Sequence, residues 1–139
     1  EDDMFLIFAD LDKMKEINDT MGHEVGDLAI ATAASLLRTT FRQADIIARL
    51  GGDEFAVFIS CNPGTDSEHA IVARLEANIV KENATSELPF SLSLSFGVVQ
   101  LHEGETLGQV MIRADALMYD SKSRKKGGTR NGGQANPVA

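Results

Sequence analysis

The feature that most restricts the fold is a pair of apolar runs, "DIIARL" (45–50) and "EFAVFIS" (54–60), separated only by "GGD". Strand-forming runs joined through so short a glycine-rich link return on each other as an antiparallel hairpin. A lone hairpin is marginal in water, so the rest of the chain must supply more strands and a cover. Two acids, Asp53 and Glu54, stand at the turn between these buried runs.

The other elements follow from periodicity. "MFLIFADLD" (4–12) places five apolar residues ahead of Ala9 and Asp10, which predicts a strand buried on both faces and ending in acids. Asn18–Gly22 reads as a turn between short helical pieces. From Gly26 a helix is expected, with Leu28, Ala31 and Leu36 near a 3.6 period. Another is expected from about Thr65–Ser67, opened by a Thr65–Glu68 capping box and followed by Ile71, Leu75 and Ile79. "FSLSLSFGVV" (90–99) alternates strictly: Phe90, Leu92, Leu94, Phe96 and Val98 point one way, Ser91, Ser93, Ser95 and Gly97 the other. Thr106 and Gln109 form a capping box for a last helix, with Leu107, Val110, Ala114, Leu117 and Met118 on one side. The order β-α-β-β-α-β-α, without internal repeat, predicts an α/β (α+β) fold of the ferredoxin-like palm type, with helices covering a mostly antiparallel sheet. Residues 127–139, rich in Gly and Asn, are expected to be a flexible tail.

Composition narrows the function. At 139 residues the chain fits one domain. Its formal charge of −8 does not suit a nucleic-acid grip, and no membrane contact by this domain is expected. There is no apolar run long enough to span a bilayer and no signal peptide, and the single cysteine, Cys61, fits a reducing compartment. A cytoplasmic domain is therefore expected, and the abrupt start at a strand suggests an excised one. Cys61 itself reads as a small hydrophobe at a strand end.

The acids offer chemistry. Asp10 and Asp12 are two apart and share a strand face. If Asp10 ends one strand beside the hairpin, then Asp10, Asp53 and Glu54 converge, and carboxylates so close repel unless protons or a cation intervene. Hard oxygen donors select Mg²⁺ or a similar ion, which suits phosphoryl-type transfer. Gly51 and Gly52 permit positive φ and leave room for a bulky ligand. An ordinary turn with solvated acids is the competing reading, and Asp12 could instead cap the next helix.

"RLGGDEF" resembles the signature of the GGDEF-domain diguanylate cyclases, which make cyclic di-GMP from two GTP molecules. "FADLDKMKEINDTMGHEVGD", "RQAD", "SLSFGV" and "ADALMYDSK" resemble further segments of that family in order, nearly end to end. The resemblance implies a cyclase domain over residues 1–126 that needs Mg²⁺ (or Mn²⁺). It implies metal ligands at Asp10, the Leu11 carbonyl and Asp53, with Glu54 close by. Asp53 would also be the base for the attacking 3′-hydroxyl. It implies guanine recognition by Asn18 and Asp27, a substrate contact at His23, a triphosphate lying over Gly51 and Gly52, phosphate contacts from Lys122 and Lys126, and a catalytic Lys15 near the phosphates that offsets transition-state charge. Without the resemblance, Asn18 and Asp27 read as helix caps, His23 as a turn residue and Lys15 as a solvated charge.

The resemblance further implies a transient homodimer, each copy giving half a site, and sensory domains upstream in a larger protein. It implies a product site for cyclic di-GMP at Arg42 and Asp45 with Arg74 nearby. The pattern departs in three places. Lys125 and Lys126 replace the usual Gly-Arg, Met14 replaces a common Phe, and the helix that usually precedes the first strand is missing. The rival function is a catalytically inactive domain that binds GTP or cyclic di-GMP.

Overall fold

The structure, a computed structural model, describes residues 1–42 and 44–131, with side chains as far as residue 125. Gln43 of the "RQAD" segment, the Lys126 side chain and residues 132–139 of the expected tail lie outside the described residues. The elements in chain order are β1 (Asp3–Leu11), α1 (Met14–Met21), α2 (His23–Thr40), β2 (Ile46–Arg49), β3 (Glu54–Cys61), α3 (Glu68–Thr85), β4 (Leu94–Gln100) and α4 (Leu107–Asn131). The four strands form one sheet in the order β2-β3-β1-β4, antiparallel at every pairing.

The apolar run of β1 explains its central place. Phe5, Ile7 and Leu11 join the core beneath α2 and α3, while Leu6 and Phe8 pack on the other face with Val110, Ala114 and Met118 of α4. Both faces of β1 are thus buried, as the run predicts. Cys61 ends β3 and packs against the first core.

The strict alternation of 90–99 holds in part. Leu92, Leu94, Phe96 and Val98 face the α2–α3 core, but the strand begins only at Leu94. Its other face is not open to water, since α4 lies on it. A Cβ at Gly97 would stand 2.3 Å from the Ala114 carbonyl oxygen and 2.7 Å from the Met118 nitrogen. Gly97 is what lets the helix backbone approach so closely.

Several local expectations are corrected. Asn18–Gly22 is not a turn: α1 runs through Met21, and only Gly22, at φ 92°, breaks the path before α2 begins at His23. The buried face of α2 carries Ala29, Ala33, Leu36 and Leu37, whereas Leu28 and Ala31 are exposed. Ser67, not Thr65, caps α3, its hydroxyl accepting from Ala70 N–H at 3.0 Å. The Glu68 carboxylate serves Gln100 N–H at 2.7 Å instead. The Thr106–Gln109 box forms reciprocally, at 2.9 and 3.2 Å. Leu107 and Leu117 are exposed, so the buried stripe of α4 is narrower than its spacing suggests. Among the described residues no helix is long and apolar enough to cross a membrane.

Candidate active site

The acids meet where β1 ends. Asp10 stands opposite Glu54 on one side and Ser95 on the other. The Leu11 N–H donates to the Asp53 carbonyl at 3.1 Å, which ties the hairpin turn to the end of β1. Arg49 braces the same turn, its guanidinium donating to the Gly51 carbonyl at 3.0 Å and to the Gly52 carbonyl at 2.7 Å. The arginine of "RLGGDEF" therefore holds the turn backbone, a role the sequence reading did not assign. Neither glycine of the signature adopts positive φ, and nothing lies within 4 Å of a Cβ at Gly52. What these glycines provide is uncovered backbone rather than a left-handed bend.

Asp10 is buried, and its Oδ1 has no hydrogen-bond partner. Oδ2 accepts from Lys122 Nζ at 2.5 Å. Burial pushes the Asp10 carboxyl up to about 6, and the neighbouring Asp53 adds to this while Lys122 opposes it. Burial also works against the Lys122 charge, but its bond to Asp10 and the acids around it hold its pKa above the ordinary lysine value. Glu54 is exposed, across the ladder from Asp10.

Among the described residues no three His, Cys, Asp or Glu side chains stand as a metal-holding group. The donors brought together are two carboxylates, Asp10 and Asp53, beside the Leu11 backbone. A buried carboxylate oxygen lacking a partner, next to a second carboxylate, fits a hard divalent cation.

Asp12 shares the face of Asp10, as its spacing predicts, but it caps nothing. Its carboxylate accepts from Ser93 Oγ at 2.5 Å, Ser95 Oγ at 2.6 Å and Lys125 Nζ at 2.8 Å. Burial disfavours its charge, yet these bonds keep the carboxyl below the usual range. The sequence reading assigned Ser93 and Ser95 no part here, although the alternation of 90–99 had set them on one face.

The remaining candidates are spread around this centre. Asn18 lies within α1 and Asp27 within α2, so neither is a cap. The Asn18 side chain fills the space over Gly26, beside Asp27. Asp27 rims a groove of about 470 Å³ between α2 and the hairpin, with Ile30, Arg38, Ile47 and Phe55 along it. His23 is the exposed first residue of α2. Lys15 is 91% exposed and pairs with Asp19 at 2.9 Å, one turn along α1. On the other side Lys122 and Lys125 line a larger groove, about 1340 Å³, between α1 and α4.

Arg42 and Asp45 are exposed in the link from α2 to β2, and Asp45 N–H donates to the Phe58 carbonyl at 2.9 Å. Arg74 lies on α3, bonded to Asp66 at 2.7 Å.

Residues 1–128 match the family described as "Diguanylate cyclase, GGDEF domain". The chain is similar to the bifunctional diguanylate cyclase/cyclic di-GMP phosphodiesterase MucR of Pseudomonas aeruginosa, 36% identical over 88% of this chain and 18% of that protein. It is 34% identical to the probable diguanylate cyclase DgcJ of Escherichia coli, over 88% of this chain and 24% of that one. The chain therefore spans about a fifth to a quarter of these two curated relatives. Among solved structures it resembles the GGDEF domain of PA1120 (YfiN or TpbB) from Pseudomonas aeruginosa, with TM-score 0.75 and 34% identity over 88% of this chain and 77% of that one. It also resembles the GGDEF domain of DgcB from Caulobacter crescentus, solved with c-di-GMP, with TM-score 0.73 and 28% identity over 99% and 78%. With a matched family, a palm-like sheet and a signature turn held against the acidic end of β1, the chain belongs to the GGDEF-domain diguanylate cyclase family.

Proposed function

We propose that this domain condenses two GTP molecules into cyclic di-GMP and pyrophosphate, two copies each bringing one bound GTP. The observation that carries this reading is Asp10, whose buried, unpartnered Oδ1 lies beside Asp53 at the foot of an uncovered glycine turn. Asp10, Asp53 and the Leu11 carbonyl would hold Mg²⁺ or Mn²⁺, with Glu54 next to them. When bound, the ion would offset the phosphates' charge.

The chain's own groups do the rest. Asn18 and Asp27 take the guanine edge, a carboxylate accepting from N–H groups that adenine does not offer. His23, the exposed first residue of α2, adds a substrate contact. Gly51 and Gly52 leave backbone open to the triphosphate. Lys122, with Lys126 and Lys15, meets its charge. Asp53 accepts the proton of the 3′-hydroxyl that attacks the α-phosphorus of the partner copy's GTP. A twofold encounter is the natural geometry for two such half-sites. Arg42 and Asp45, with Arg74, would bind the product and restrain the enzyme. Arg74 would first have to leave Asp66.

The deciding experiment is incubation with GTP and Mg²⁺ across a range of protein concentrations, followed by product chromatography. Cyclic di-GMP whose specific yield rises with concentration is expected. Nucleotide binding with no product would assign the domain to the non-catalytic binding class.

A further inference from the structure

Two lysines of α4 reach two acids at the end of β1: Lys122 meets Asp10, within the strand, and Lys125 meets Asp12, just past it. Three helical residues advance about 4.5 Å and two strand residues about 6.6 Å. Helix and strand are thus out of step, and long flexible stems must close the difference. Lys125 does more than match a charge. Its ammonium donates to Asp12 Oδ2 at 2.8 Å, to Ser93 Oγ at 3.3 Å and to the Leu94 carbonyl at 2.5 Å. One group thus joins the segment after β1 to the start of β4.

The apolar stripe of α4 ends early. Val110, Ala114 and Met118 are buried, and no described side chain from Tyr119 to Lys125 is. Beyond Met118 the described contacts that seat the helix on the sheet are polar, from Lys122 and Lys125.

We propose that Lys125 is a positioning residue, latching the distal turns of α4 to Asp12 and the Leu94 carbonyl and so fixing where Lys122 meets Asp10. The effect on substrate rests on the reading of Lys122 as a phosphate contact. The latch itself does not, and the two are tested separately.

A non-hydrolysable GTP analogue with Mg²⁺, titrated by calorimetry into the whole chain, reads the first. Lys125→Ala should weaken binding about tenfold, and Lys125→Arg, which keeps a cation in reach of Asp12, should restore most of it. In a Lys122→Ala background the same Lys125→Ala change should cost less than about twofold, because the two residues act as one unit. In turnover, the loss should fall mainly on KM. Full additivity of the two substitutions would overturn the proposal. Amide hydrogen exchange reads the latch without nucleotide: Lys125→Ala should speed exchange across 119–131 and spare the Val110–Met118 turns. Unchanged exchange would overturn it. A wild-type chain that ignores the analogue would count against the proposed function, and exchange alone would then decide the latch.

Discussion

The side-chain amide oxygen of Asn18 lies 1.9 Å from where a Cβ on Gly26 would stand. The two helices α1 and α2 meet there, and the missing side chain of one residue is the seat of the other. Gly26→Ala must therefore displace Asn18, the flexible end giving way rather than the backbone. Binding of a GTP analogue is expected to fall about tenfold, with preference over the adenine counterpart reduced. Competition titration with the two analogues checks this, and undiminished preference would separate Asn18 from guanine recognition.

A second glycine predicts the opposite kind of loss. At Gly97 a Cβ would strike the backbone of α4 at Ala114 and Met118, which cannot swing aside. Gly97→Ala should destabilise the fold by about 1–3 kcal/mol, as overpacked cores do. Urea unfolding measures it, with a lowered midpoint as the expected result.

Removing the proposed base tests the chemistry. Asp53→Asn keeps the size of the side chain and leaves the Asp53 carbonyl free to accept from Leu11. Product formation should fall by about 10²–10⁴-fold, while the urea midpoint stays near that of the wild type. The Asp10 carboxyl should also move down, since Asp53 helps to raise it.

The acid limb of stability should report one ion pair far from the site. Glu105 accepts from Arg113 at 2.7 and 2.8 Å and from His102 N–H at 2.8 Å, which lowers its carboxyl from 4.5 to about 2. A lowered folded-state pKa contributes stability above the unfolded value and loses it as pH falls through the folded one. The stability gap between wild type and Glu105→Gln should thus be full above about pH 4.5, shrink below it and be nearly gone at pH 2. Denaturation midpoints of both chains across that range check the sign.

Much of this molecule is legible from residue order alone, for a local reason. Strand and helix types follow from apolar periods, the Thr106–Gln109 cap from two side chains three apart, and the hairpin from its glycines. The phase of α2 is not legible from its spacing, because alanines suit either face of a helix. Residues 18–22 carry Asn and Asp, which suit turns, yet α1 continues through Met21 because Met14 and Ile17 are buried, a contact that spacing does not specify.

Which polar groups meet is settled by long-range packing. That Asp10 takes Lys122, that Asp12 takes two serines and Lys125, and that α4 covers the serine face of β4 all depend on contacts between residues far apart in the chain, 81 to 113 positions for these bonds. Sequence determines which groups are available and which face of a strand they share. Their pairing is set by sheet register and by how closely a helix can approach Gly97, and those are properties of the assembled packing.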